Sequence, residues 1–109
     1  MAPAPDRELA KSLNAKGYAA RKRGDHSAAR ALYKEATDAD PYHVWSRFNL
    51  ACELALQGKR QEALSLLEAV RAIGGDDAER ALTEHAPTDP DLATLYRDQR
   101  FRKLTAQRR

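Results

Sequence analysis

Few side chains in this chain are equipped for chemistry. Three histidines (His26, His43, His85) and one cysteine (Cys52) are the neutral-pH candidates for a zinc ligand, base or nucleophile, beside the scattered carboxylates. No histidine stands one helical turn from a second ligand type in a zinc-site pattern. Cys52 has no partner thiol and mostly apolar helix neighbours, the setting of a buried inert thiol. Phosphate-binding glycine loops and the nucleophile-elbow motif do not occur, and the acidic residues scatter to turns and helix starts, where they cap. Gly74-Gly75-Asp76 breaks one helix and opens another; Asp76 and Asp77 would repel an anion there, so the triplet reads as a cap. No constellation meets the role test for an active site, so no enzyme, cofactor or metal is expected. What remains is of recognition type: Tyr18, Trp45 and Arg21, with Asn49 able to donate and accept at once.

The elements that must position these residues are helices. Ala is the commonest residue and Val plus Ile number three, a mixture that favours helix over strand. Gly24-Asp25, Pro41, Gly58, Gly74-Gly75, Pro87 and Pro90 punctuate the chain. Helices are expected over 6–23, 26–39, 43–57, 60–73, 76–86 and 91–107, the last bent near Asp98. Links this short make neighbours antiparallel. Apolar stripes agree: Ala29, Leu32, Tyr33 and Ala36 share one face, as do Trp45, Phe48, Cys52 and Ala55, and Ala63, Leu66, Leu67 and Val70. The fold class expected is all-α.

The chain has 109 residues, the size of one small domain. Charged residues are 32% and net charge is +3, too mild to argue for nucleic acid. A single cysteine rules out an internal disulfide framework. No run approaches the roughly 18 apolar residues of a membrane span, and Met1–Asp6 has no signal-like apolar core, so a cytoplasmic protein is expected, although a signal already removed would leave no trace.

Sliding the chain against itself by 34 residues aligns Gly17 with Ala51, Ala20 with Leu54, Gly24 with Gly58, Ala29 with Ala63, Leu32 with Leu66, Tyr33 with Leu67 and Ala36 with Val70. A period of 34 with two helices per unit resembles the tetratricopeptide repeat. Residues 10–43 resemble one repeat through Gly17, Gly24, Ala29, Tyr33, Ala36 and Pro41; residues 44–77 resemble a second through Leu50, Ala51, Leu54, Gly58, Ala63, Leu67 and Val70. Lys16 and Gly75 depart from the pattern, standing where the family usually has Leu and Pro. Residues 78–109 read as a degenerate third unit and basic capping helices. Within them the run Asp89-Pro90-Asp91-Leu92 with Leu95, Arg97, Asp98, Arg100, Phe101 and Leu104 resembles a closing segment of bacterial proteins of this kind. Its buried side is expected to be Leu92, Leu95, Phe101 and Leu104, covering the apolar end of the stack. The whole is one antiparallel helix-pair solenoid.

The resemblance implies a protein-binding module whose first helices line a concave face. That face would carry Lys11, Asn14, Tyr18, Arg21, Lys22, Trp45, Phe48, Asn49 and Cys52, with Glu79, Leu82 and Thr83 from the third unit. Asn49 holds a position at which family members often hold a peptide backbone. Lys11, Arg21 and Lys22 imply an acidic segment with one large apolar residue as ligand. One subfamily clamps chaperone C-termini with Lys and Asn; this chain matches that clamp only at Asn49, so chaperone tails are not expected. Two other readings stand beside the adaptor. Short arrays have large apolar ends, which pairing of copies would cover as a homo-oligomer. The tail residues Arg97, Arg100, Arg102, Lys103, Arg108 and Arg109 stand against Asp98 alone, a basic patch for nucleic acid or anionic lipid, though neither is the expected partner.

Overall fold

The computed structural model describes residues 4–106. Four regular helices come first: α1 (Arg7–Lys22), α2 (His26–Ala39), α3 (Val44–Leu56) and α4 (Arg60–Ile73). Each of the first three starts on a side-chain acceptor. Asp6 accepts from the Leu9 amide at 3.0 Å, Asp25 from Ala28 at 3.1 Å, and His43 Nδ1 from Ser46 at 3.3 Å. Gly24 and Gly58 occupy equivalent turns with φ of 83° and 85°, a backbone region glycine enters without a Cβ penalty. The result is two antiparallel helix pairs, α1 with α2 and α3 with α4, joined where α2 packs on α3.

The crossing in each pair is set by size. A Cβ built on Gly17 would come 2.7 Å from two ring carbons of Tyr33, so only glycine lets the buried tyrosine lie across α1. The equivalent positions of the second pair are Ala51 and Leu67, a larger residue opposite a smaller one. Two apolar clusters follow. Ala20, Ala29 and Tyr33 form a small one in the first pair, and a larger one runs from Val44 through α4 to Phe101.

The C-terminal third departs from the two plain helices expected. Instead of a helix over 76–86, α5 (Gly75–Arg80) passes into a wide π-helical turn over Ala81–His85 and a 3₁₀ turn over Ala86–Thr88. Pro87 has no amide to bond back along the helix, so a regular α-helix does not continue through it. The helix starts from Gly74, without a side-chain cap, rather than from Asp76. Instead of one bent helix over 91–107, a 3₁₀ segment covers Pro90–Leu95, and α6 (Gln99–Thr105) follows a break at Tyr96–Asp98. Asp89 and Asp98 cause this division: each carboxylate accepts backbone amides of a new start, from Asp91 at 2.9 Å and Arg100 at 2.7 Å. The Tyr96 hydroxyl donates to the Asp89 carbonyl and closes the segment on itself.

Leu92, Leu95 and Phe101 are buried and Leu104 half-buried, so the expected sealing face is present. Arg100 fixes α6 to α4 through Glu68 at 2.6 Å and Gln61 at 2.7 Å, and Arg71 reaches the Leu104 carbonyl at 2.8 Å. The opposite side of the stack differs. Among the described residues no helix covers the outer side of the first pair, and Leu9 and Tyr42 are 48% and 64% exposed.

Candidate functional site

The concave side is lined by α1 and α3. On α1, Asn14, Tyr18 and Arg21 recur at four and three residues and share a face; on α3, Trp45, Phe48, Asn49 and Cys52 do the same. The two faces meet at an amide pair, in which Asn49 Nδ2 donates to Asn14 Oδ1 at 3.0 Å. Tyr18 stands beside the pair, 51% exposed, with Lys22 Nζ 5.4 Å from its ring centroid. Trp45 is half-buried and meets the rings of Phe48 at 6.0 Å and His85 at 5.1 Å edge to face, with the Arg80 guanidinium over it at 5.8 Å. With Ala15, Arg21 and Asp89 these residues border an open cleft of ≈550 Å³.

One end of this cleft is closed by the chain's own segment. Pro90–Leu95 packs on α3, with Asp89 just before it bordering the groove and Asp91 against Arg21. The Arg21 guanidinium, expected to be free for a ligand, is instead held by the Asp91 carboxylate and lies 3.8 Å from Glu53 Oε2. Glu53 is fully buried, and its other oxygen is 2.8 Å from His26 Nδ1. A carboxylate with no water contact needs such partners, because the desolvation cost of its charge is several kcal/mol, on the order of the attraction that repays it. Arg21, Glu53, His26 and Asp91 thus form one polar network joining α1, α2, α3 and the closing segment.

Cys52 lies 3.7 Å from Asp89 Oδ2 in this region. Burial, and then the nearby Asp89 charge, push its thiol well above the ordinary value. Cys52, Asp89 and Asp91 bring ligand atoms within 4.8 Å of one another. Arg21 already pairs with Asp91, so one of the three groups is engaged within the chain.

The expected site residues divide as follows. Asn14, Tyr18, Trp45 and Asn49 come together on the cleft. Phe48 contributes its ring edge but is only 4% exposed and belongs to the core, as does the fully buried Leu82. Glu79 turns to α4, where Arg71 holds it at 2.8 Å, and Thr83 donates to the Glu79 carbonyl at 2.7 Å. Lys11 and Lys22 are exposed near the two ends of α1, outside the lining of the cleft, Lys11 3.9 Å from Glu8. In the tail, Arg97, Arg102 and Lys103 are exposed, Arg100 is paired with Glu68, and Arg108 and Arg109 lie outside the described residues. Sequence reasoning missed Glu53, His26, His85, Asp89 and Asp91 as part of the site. Glu53 carried a signal: it is the one charged residue in the apolar run from Leu50 to Leu56, where a helix buried on both sides has no wet face for it.

Two stacked helix pairs, a sealing segment and an aromatic-rimmed cleft define a short helical-repeat recognition module. Residues 20–86 match the tetratricopeptide repeat family, and the chain belongs to it. Over 54 residues, half of this chain, it is 41% identical to a protein of Pseudomonas fluorescens (strain SBW25) described as cellulose synthase operon protein C. That stretch spans 4% of the relative's own length. No solved structure matches the chain. Proteins of this family bind other proteins, and no helix among the described residues is long and apolar enough to cross a membrane.

Proposed function

We propose that this chain is a non-catalytic adaptor, a single repeat domain that holds a peptide or partner helix in the concave cleft. The observation that carries the reading is the Asn14–Asn49 pair between the first helices of the two repeats, flanked by Tyr18 and Trp45. Each amide has donor and acceptor capacity left for a peptide backbone, and the aromatic walls accept one large apolar side chain. The ligand's charge follows from what lies at each end. Arg21 is engaged by Asp91 and Glu53, and Asp89 faces the closed end, so an acidic ligand group is repelled there. Lys11 is exposed toward the other end of α1, away from Arg21, and an acidic residue of the ligand belongs at that end.

The test is capture of a partner by the wild-type chain and by an Asn49→Ala, Tyr18→Ala variant with an unchanged helical circular-dichroism spectrum. The relative's name offers a first panel of candidates, proteins of a cellulose synthase operon. Loss of a captured partner in the variant supports the cleft; undiminished capture moves the site elsewhere.

Self-association has one observation in its favour, the exposed Leu9 and Tyr42 at the start of the stack. It predicts a mass by light scattering that rises with concentration, and a constant monomer mass rejects it. Binding of polyanions by the tail rests on Arg97, Arg102 and Lys103, and predicts steep weakening with salt.

A further inference from the structure

A second groove lies on the far side of α3. Leu50 and Leu54 are one turn apart and, at 100° per residue, face away from Trp45 and Asn49. Both are only half-buried, and they form the floor of an open cleft of ≈560 Å³ between α2 and α4. Arg30, Lys34 and Lys59 stand around it, and none of the three has an acidic partner among the described residues. This contrasts with Arg21, Arg71 and Arg100, whose carboxylate partners tie elements of the fold together. Arg30 is half-buried as well as unpaired, and it also borders the adjoining hollow beside Leu56, which is 49% exposed. Asp38 in the last turn of α2 and Glu62 in the first turn of α4 are the acidic residues of the rim. Three cations against two anions around a leucine floor leave an excess of positive charge where apolar surface is open.

We infer that this convex groove is a second protein-docking site, and that its occupant is a short acidic amphipathic helix of another protein. Leucines one turn apart on that helix would cover Leu50 and Leu54, and its flanking glutamates would pair with Arg30, Lys34 and Lys59. The site is separate from the concave cleft, so the chain can bridge two partners.

The test uses a synthetic helical peptide with leucines at every fourth position and glutamates elsewhere, and the same peptide with lysines replacing glutamates. Each is titrated into the isotopically labelled full chain and followed by amide chemical shifts. Shifts are expected around Arg30, Leu50, Leu54 and Lys59 with the glutamate peptide alone. Lys34→Glu with Lys59→Glu, both exposed positions, should weaken binding by about tenfold or more. Asn49→Ala with Tyr18→Ala should leave it unchanged, which separates this site from the concave one. Equal binding of the lysine peptide, shifts confined to the concave face, or no shifts at all would overturn the inference.

Discussion

Single residues decide how closely the first helix pair can approach. Gly17 and Tyr33 are matched, and a Cβ at Gly17 would press on a buried ring with no room to turn. Gly17→Ala should cost about 2 kcal/mol, read as a lower denaturant midpoint. Adding Tyr33→Leu, which gives this pair the Ala–Leu combination of Ala51 and Leu67, should recover most of it. His43 makes a second residue-scale prediction. Its Nδ1 accepts the Ser46 amide, which requires that nitrogen to carry no proton. Burial, with the Arg7 charge adding to it, holds the imidazole below its usual 6.5. The unfolded chain therefore takes up the proton first. The stability His43 contributes is complete above about pH 6.5 and is lost as pH falls toward the lower folded value. His43→Asn keeps a capping acceptor without titrating, so its melting temperature should fall less than the wild type's over that range. The 34-residue offset marked Gly17 and Tyr33 as repeat positions, but that the ring lies against the glycine follows only from the fold. The histidine cap was not legible, because His is an uncommon N-cap and its role depends on which way the ring turns.

At the scale of elements, the charged network is the joint between the repeats and their closing segment. Arg21→Ala would leave Glu53 buried with only the His26 hydrogen bond and should cost about 3 kcal/mol. Arg21→Lys should restore only part, since an ammonium cannot fork between two carboxylates. Glu53→Gln added to Arg21→Ala should recover stability, because the orphaned charge is gone; the three denaturant midpoints check this. α1 to α4 were legible almost to the residue, since glycine turns and apolar periods agree there. Residues 75–106 were not. Their composition suits two plain helices, but Pro87, Asp89 and Asp98 offer backbone alternatives that win locally. The cleft was half legible for the same reason: the residues on α1 and α3 follow from helical period, whereas Asp89 and Asp91 arrive by a fold-back that no period announces.

Across the whole molecule, apolar burial is uneven. The first pair rests on Ala20, Ala29 and Tyr33, while the second shares a continuous cluster with the closing segment. Amide hydrogen exchange should therefore be faster in α1 and α2 than in α3 and α4, with the first pair opening as a unit. Uniform protection through all four helices would contradict this. The unequal pairs also bear on what the concave cleft can do, since one of its walls, α1, belongs to the softer half and can adjust to a ligand while α3 stays fixed. The difference between the two ends of the stack has an engineering consequence. A consensus helix pair grafted ahead of residue 4 would find the uncovered outer side of the first pair, Leu9 included, and add a third wall to the groove. The same pair grafted behind α6 would find a surface already closed by Phe101 and Arg100, and would hang as a separate unit. The molecule can be lengthened in one direction only, and the direction open to it is the one that extends the concave groove.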